Sequence, residues 1–454
     1  MRYINKILTE EPVLLISVLK WVVLSSCVGG IVGASTTFFL KILEWSIVFT
    51  HQYQYYFLLL PIGLFLSAGI IKLLAPDAEG HGTEKVIEAV HKSGGRINAM
   101  VVPVKIVATV ITIACGGSVG KEGPCAQIGG GLSSTFSNLL RFDDHDRKKL
   151  VICGISAGFA SVFGTPIAGA IFGVEVLFIG NILYDVLLSS FIAGITSYQV
   201  SSALGITYSY HPIKFMSVFS EVFFIKILIA GIFFGICSLF FIEILKFGER
   251  LSEKMKASIL MKSIIGGFVL IVFALIFSKE YLGLGLETIH STLEGEKVVW
   301  YAFFIKAIFT SITLNFGGSG GIVTPIFFMG AASGALFAMV MGLNIATFSA
   351  IGLVSLLAAT TNTPIAASIM AVELFGPEIA PYATVACVIS FLMSGHRSVY
   401  PSQVLAITKT PSIQVDIGKE IEDITPHFHR RDKSIIGRSL KFASRVKTKV
   451  NKNK

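Results

Sequence analysis

Two glycine-rich stretches, GGSVGKEGP at 116–124 and GGSGGIVTP at 317–325, agree at five positions with an offset of 201 in a chain of 454 residues. At the same offset Lys105 aligns with Lys306, Thr109 with Thr310, Ile111 with Ile312, Thr112 with Thr313, Gly129 with Gly330 and Phe136 with Phe337. Further on, TPIAGAIFGVE at 165–175 matches TPIAASIMAVE at 363–373, the offset having slipped to 198. A chain that repeats itself over most of each half folds as two related units, commonly inverted about an axis in the membrane plane in transporters. Glycine-broken helices at corresponding positions then mark the binding site.

Both copies sit in an apolar chain: 53% hydrophobic and 14% charged, with a mean hydropathy of +0.75. That is too little polar surface for a water-soluble globule of this size. Apolar segments fall at roughly 13–42, 56–74, 99–115, 149–163, 166–193, 222–246, 262–278, 300–316, 348–359 and 379–394. A simple span needs about 20 apolar residues, and several of these are too short or too glycine-rich. The expected fold is an all-α polytopic membrane protein of two inverted repeats with broken and tilted helices. Non-helical backbone at membrane depth survives only inside protein or along a wet cavity.

The division expected is an N-terminal segment 1–12, a first repeat 13–205, a second repeat 206–405 and a basic tail 406–454. No signal-peptide pattern opens the chain, so the first span is expected to direct insertion. Residues 429–454 hold ten Lys/Arg against Asp432, which accounts for the whole net charge of +9. A basic run after the last span predicts a cytoplasmic C-terminus and argues against nucleic acid, since no folded domain accompanies it. Ile436, Leu440, Ala443 and Val450 either lay one face of this tail on anionic lipid or belong to a solvated tail. The six cysteines, Cys27, Cys115, Cys125, Cys153, Cys237 and Cys387, lack metal-ligand spacing and read as packing residues. No cofactor or metal site is expected.

The motifs carry the chemistry. Gly120-Lys121-Glu122-Gly123-Pro124 puts a carboxylate at the start of a helix in an apolar stretch, where backbone amides favour an anion. Intramembrane carboxylates are functional by default; the structural alternative is a salt bridge between Glu122 and Lys121. Glu122 is then an anion mimic whose protonation releases it and couples anion passage to protons. A phosphate loop is excluded, because Cys115 stands where its first glycine belongs and Glu122 where its Ser/Thr belongs.

Gly80-His81-Gly82-Thr83-Glu84 opens another helix, with glycines permitting close approach and His81 either a pore-lining donor or a satisfied polar group. Gly321-Ile322-Val323-Thr324-Pro325 supplies a second set of amides, which repeat symmetry brings to the first. Tyr400, in the break 395–401, offers a phenol donor or else an interfacial anchor. A catalytic reading would need paired acids, Cys/His or metal spacing, and none is found.

GHGTE, GKEGP, GGIVTP and a late SVYPS in this order resemble the CLC chloride channel and transporter family, over about residues 15 to 405. The resemblance implies a homodimer with one anion pathway per subunit in a cell membrane, and both termini cytoplasmic. It makes Glu122 the external gating glutamate and Tyr400 the central pore tyrosine. The anion-binding set is then Gly80, His81, Gly82, Lys121, Gly123, Ile322, Val323, Thr324 and Tyr400. His81 stands where chloride-selective members carry a serine. Val176 stands where most chloride/proton exchangers carry an internal proton-transfer glutamate. These departures, with Val323 and Thr324, resemble the bacterial fluoride branch and imply a fluoride/proton antiporter that exports fluoride. The alternatives are a chloride/proton antiporter and a passive chloride channel, or, in another class, a membrane-embedded enzyme or scaffold.

Overall fold

The computed structural model describes residues 2–208, 210, 212, 221–425 and 427–428, the side chains of 2–10 and 427–428 excepted. The basic run 429–454 and its amphipathic face lie outside the described residues.

Helices dominate. The first half holds α1 (Arg2–His51), α2 (Leu60–Leu74), α3 (Thr83–Lys92), α4 (Val101–Ala114), α5 (Glu122–Leu139), α6 (Asp144–Phe163), α7 (Pro166–Glu175) and α8 (Tyr184–Ala203). The second holds α9 (Glu221–Lys254), α10 (Ile259–Ile276), α11 (Leu286–Leu293), α12 (Ala302–Asn315), α13 (Val323–Met341), α14 (Ile345–Thr361), α15 (Pro364–Phe375) and α16 (Ala380–Met393). Packing repeats as the sequence does: α1 lies on α8 as α9 lies on α16, and α5 on α6 as α13 on α14.

Local chemistry sets these boundaries twice over. Asp143 caps α6 by accepting from the Asp146 amide at 2.8 Å, and Asn344 caps α14 by accepting from Thr347 at 2.9 Å. Both helices stop on a left-handed residue, Gly164 (φ 70°) and Asn362 (φ 57°). Pro166 and Pro364 then start α7 and α15, where a missing N–H costs nothing. Gly129 abuts Gly154, and Gly330 abuts Gly352, because a Cβ at any of them would collide with backbone.

Among the described residues five helical segments are long and apolar enough to cross a membrane, and six shorter apolar helices accompany them. Outward-facing Leu14, Ile16, Phe38, Phe268, Val272 and Leu275 are each more than half exposed, a surface that suits lipid. Four of the cysteines are buried and Cys115 half-buried, whereas Cys27 sits on the outer face of α1.

The apolar run 166–193 forms two helices instead of one span. Between them Phe178–Ile179 pairs in parallel with Val404–Leu405, which draws the chain beyond 403 back onto the first half. Residues 404–425 are therefore part of the folded body: Ile421 is buried, and Lys92 reaches Glu420 at 3.0 Å. That carboxylate holds the Lys92 ammonium above the ordinary lysine range. At the other end, α1 runs through residue 12 without a break.

Candidate functional site

The N-termini of α5 and α13 meet in the interior, and their caps are superimposable in conformation: Lys121 at φ −104°, ψ −12° and Ile322 at φ −108°, ψ −11°. Gly120 and Gly321 exchange two N–H···O bonds of 2.6 Å each. Each loop then borrows the other repeat's threonines. The Ser118 amide donates to Thr313 Oγ1 at 3.1 Å, and the Ser319 amide to Thr112 Oγ1 at 3.1 Å. These reciprocal bonds satisfy backbone that helix geometry leaves open at membrane depth.

Symmetry ends at the next residue. Glu122 is buried, and both of its carboxylate oxygens are held by Thr324 of the other repeat: Oε2 accepts from the Thr324 amide at 3.1 Å, and Oε1 from the Thr324 hydroxyl. The carboxylate thus occupies the position at the start of α13 where a helix terminus offers free amides to an anion. Val323 and Ile322 beside it are buried and aliphatic.

The GHGTE loop packs backbone to backbone on this junction. Gly82 has φ 84°, and a Cβ there would stand 2.5 Å from the Gly123 carbonyl oxygen, so both the conformation and the approach require glycine. A Cβ on Gly123 would in turn overlap the His81 carbonyl. The loop is clamped by Lys105, whose buried ammonium donates to Ala78 O at 3.0 Å and Gly80 O at 2.6 Å.

Tyr400 completes the site. It is fully buried, its ring centroid lies 5.6 Å from that of His81, and its hydroxyl, like His81 Nδ1, has no hydrogen-bond partner among the described residues. Native structures rarely leave such groups unpaired, so both are available to a ligand. The loop bearing Tyr400 is fixed by Gln403, which accepts from Ser398 Oγ at 2.6 Å and donates to the carbonyl of Val176 at 2.7 Å. Glu84 holds it from the other side, accepting from the Ser402 amide at 2.9 Å and from its hydroxyl.

Gly80, His81, Gly82, Glu122, Gly123, Ile322, Val323, Thr324 and Tyr400 therefore gather around one junction. Lys121 belongs elsewhere: with Lys41, Glu44, His51, Lys279 and Glu287 it lines a cavity of about 710 Å³ at the far end of α1. Val176 is buried and aliphatic at the end of α7. Among the described residues no group of three or more His, Cys, Asp or Glu could hold a metal ion.

Two features escaped the sequence reading. GLGLE at 283–287 is the second copy of GHGTE, shifted by 203 residues and so masked by the 201 offset. Its glycines repeat the positive φ, Gly283 at 56° and Gly285 at 72°, and Lys306 clamps it by donating to Tyr281 O at 3.1 Å and Gly283 O at 2.8 Å. The alignment of Lys105 with Lys306 was the available signal. The second feature is a reciprocal cap. Glu175 accepts from the Ile365 and Ala366 amides at 3.0 and 2.8 Å, and Glu373 from the Ile167 and Ala168 amides at 3.0 and 2.8 Å.

The voltage gated chloride channel family model matches residues 63–395. A chloride/fluoride channel protein of Pseudomonas syringae is 35% identical over 408 residues, covering 87% of this chain and 88% of that protein. The voltage-gated ClC-type chloride channel ClcB of Escherichia coli is 25% identical, over 83% of this chain and 89% of its own. The crystal structure of a CLC-type fluoride/proton antiporter matches with a TM-score of 0.81 and 28% identity, over 85% of this chain and 98% of that one. A slow cyanobacterial Cl−/H+ antiporter shares the fold, with a TM-score of 0.72 at 19% identity, over 82% of this chain and 94% of its own. Repeat architecture, junction and relatives agree, and this chain is a member of the CLC, or voltage-gated chloride channel, family of polytopic membrane proteins that carry anions.

Proposed function

We propose that this protein exchanges fluoride for protons, with Glu122 as the shared gate. The observation that carries the reading is the capture of both Glu122 oxygens by the amide and hydroxyl of Thr324. An anion and a carboxylate compete for one set of donors, and a proton decides the contest. Protonation of Glu122 removes its charge and frees the terminus of α13 for an anion; loss of the proton returns the side chain and expels the anion. Weak binding by amides and hydroxyls, without a full positive charge, lets the ion leave again.

Fluoride is small and a strong hydrogen-bond acceptor, so leaving its bonds unmade at low dielectric is expensive. The Thr324 amide and hydroxyl, the free Tyr400 hydroxyl and His81 Nδ1 are short-range donors suited to it. Gly80, Gly82, Gly123, Ile322 and Val323 shape the passage, while Lys121 attracts anions into the outer cavity. Two repeats, 13–205 and 206–405, form the transport unit, and both termini lie on the cytoplasmic side, as the basic run 429–454 supports.

A homodimer is part of this reading: Ile167 and Ile365, equivalent residues of α7 and α15, are 44% and 45% exposed, beside Leu188 of α8 and Leu392 of α16. Subunit counting by single-molecule bleaching in liposomes checks it.

Purified protein in liposomes, followed with fluoride and chloride electrodes and a pH electrode together, tests the assignment. Fluoride efflux that drives protons inward is the expected result. Equal fluoride and chloride fluxes would favour the chloride alternative, and fluoride flux without protons would leave a fluoride channel.

A further inference from the structure

Glu84 is the carboxylate best placed to pass protons between the site and the cytoplasmic side, and we propose that it does so. The inference rests on the exchange reading above. Proton transfer on this side needs a titratable group that reaches both the cytoplasmic face and the junction. Val176, at the end of α7, is aliphatic and cannot serve. Glu175 and Glu373 have both oxygens engaged by helix amides. Glu88 is half-buried and paired with Lys85 and Lys92.

Glu84 differs from all of these. Its Oε1 accepts from Ser402, but its Oε2 is buried with no partner among the described residues. An acceptor-only oxygen left without a donor inside a protein calls for an explanation, and carrying a proton supplies one, because the acid form becomes a donor. Beside it stands a second unpaired group: the Tyr400 hydroxyl, which lies next to Thr83 and within electrostatic reach of both Glu84 and Glu122. The charged groups that act on Glu84 are Lys85 and Glu88, one turn toward the face where Lys92 meets Glu420. From the junction side the loop carries His81, above the Lys105 clamp.

The relay moves one proton. In fluoride export it runs inward. Protonated Glu122 gives its proton to Tyr400 Oη as the phenol passes its own to the Glu84 carboxylate at Oε2. Tyr400 is unchanged, Glu122 returns to the Thr324 donors as a carboxylate, and Glu84, now the acid, releases the proton to the cytoplasmic face and becomes a carboxylate again.

The repeat supports the assignment by contrast. Glu287, the equivalent of Glu84, is exposed and lines the outer cavity, so one member of the pair faces solvent and the other faces the pore.

The test is fluoride-driven proton movement by Glu84→Gln in liposomes, with Ser402→Ala beside it. Glu84→Gln should lower protons moved per fluoride by more than about tenfold, as for loss of an acid–base group, while fluoride flux persists. Ser402→Ala removes a donor but keeps the acid, and should stay coupled. Wild-type coupling in Glu84→Gln overturns the proposal and leaves the exchange reading intact. Equal loss in both variants also overturns it, since Glu84 would then only hold the Tyr400 loop. Absence of proton movement in the wild type overturns both readings. Where Glu84→Gln carries no anion, Glu84→Asp decides: its dependence on cytoplasmic pH should shift from the wild-type profile, and an unshifted profile overturns the proposal.

Discussion

The first repeat and the second use the same skeleton and different chemistry. Lys105 and Lys306 clamp equivalent glycine loops, Ser118 and Ser319 trade threonines, and Glu175 and Glu373 cap each other's helices. Where an ion would pass, however, the pairs diverge: Glu122 corresponds to Val323, His81 to Leu284, and Thr83 to Leu286. From the second repeat, Thr324 enters the junction to hold Glu122 and Tyr400 brings its phenol beside His81. The difference separates what the fold needs, which is present twice, from what transport needs, which is present once.

The strongest way to break that separation is to move the acid. Glu122→Gln imitates the protonated gate and cannot exchange protons, so proton movement driven by an anion gradient should vanish whatever the anion rate becomes. Adding Val323→Glu to that variant should not restore coupling, because the new carboxylate would face Gly123 where Glu122 faces Thr324. Restored coupling would mean that the two repeats are interchangeable after all.

The lysines sharpen the comparison at the next level. Lys105→Met and Lys306→Met each strand two buried carbonyls, at a cost of about 1–3 kcal/mol per unsatisfied group, offset in part by no longer burying an ammonium. Thermal unfolding in detergent should fall by similar amounts for the two. Fluoride flux should not: the Lys105 loop carries His81 and Gly82, so its loss should slow transport about tenfold, equivalent to about 1.4 kcal/mol. Lys306→Met should keep most of its flux, since its loop carries Leu284 where the first carries His81.

For the capping pair the expected effects are smaller and nearly equal. Glu175→Gln and Glu373→Gln each keep one acceptor but lose the charge that complements a helix N-terminus, worth about 0.3–1 kcal/mol and more when partly buried. Glu175 is buried at 5% exposure whereas Glu373 is partly exposed, so the Glu175 variant should unfold at the lower temperature of the two. A stable Glu175→Gln with abolished transport would show that the pair is not simply structural.

Which of this was legible in the sequence follows the same division. The 201 offset exposed the duplication because glycine, serine and proline at the loops are fixed by backbone contact and cannot drift. The GLGLE loop hid because a two-residue shift and two leucines erased the match, although its glycines keep the same φ. Glu122 and Tyr400 were readable as chemistry stranded in apolar chain. Glu84 was not, since nothing local says that Ser402, 318 residues away, would hold it. Nor did composition reveal that 166–193 breaks at Glu175, because the partner strand Val404–Leu405 comes from the far end of the second repeat.

The smallest effect expected belongs to the one region with no counterpart in the other repeat. The ten Lys/Arg of 429–454 follow every residue assigned to the junction, the last of which is Tyr400, with Ser402 and Gln403 fixing its loop. We propose that their charge acts at a membrane surface, where each basic residue near anionic lipid contributes about 1 kcal/mol and the attraction fades within a Debye length. That favours orientation and surface attachment without touching the gate. Deleting 430–454 should leave turnover in liposomes of neutral lipid nearly intact, with the same ratio of protons to fluoride as the full chain. In anionic liposomes the deletion should change the fraction of protein inserted in each orientation, read by protease access, more than the rate per molecule. Loss of most activity in neutral lipid would place the tail in the transport cycle, and the division between a duplicated skeleton and a single working junction would have to include it.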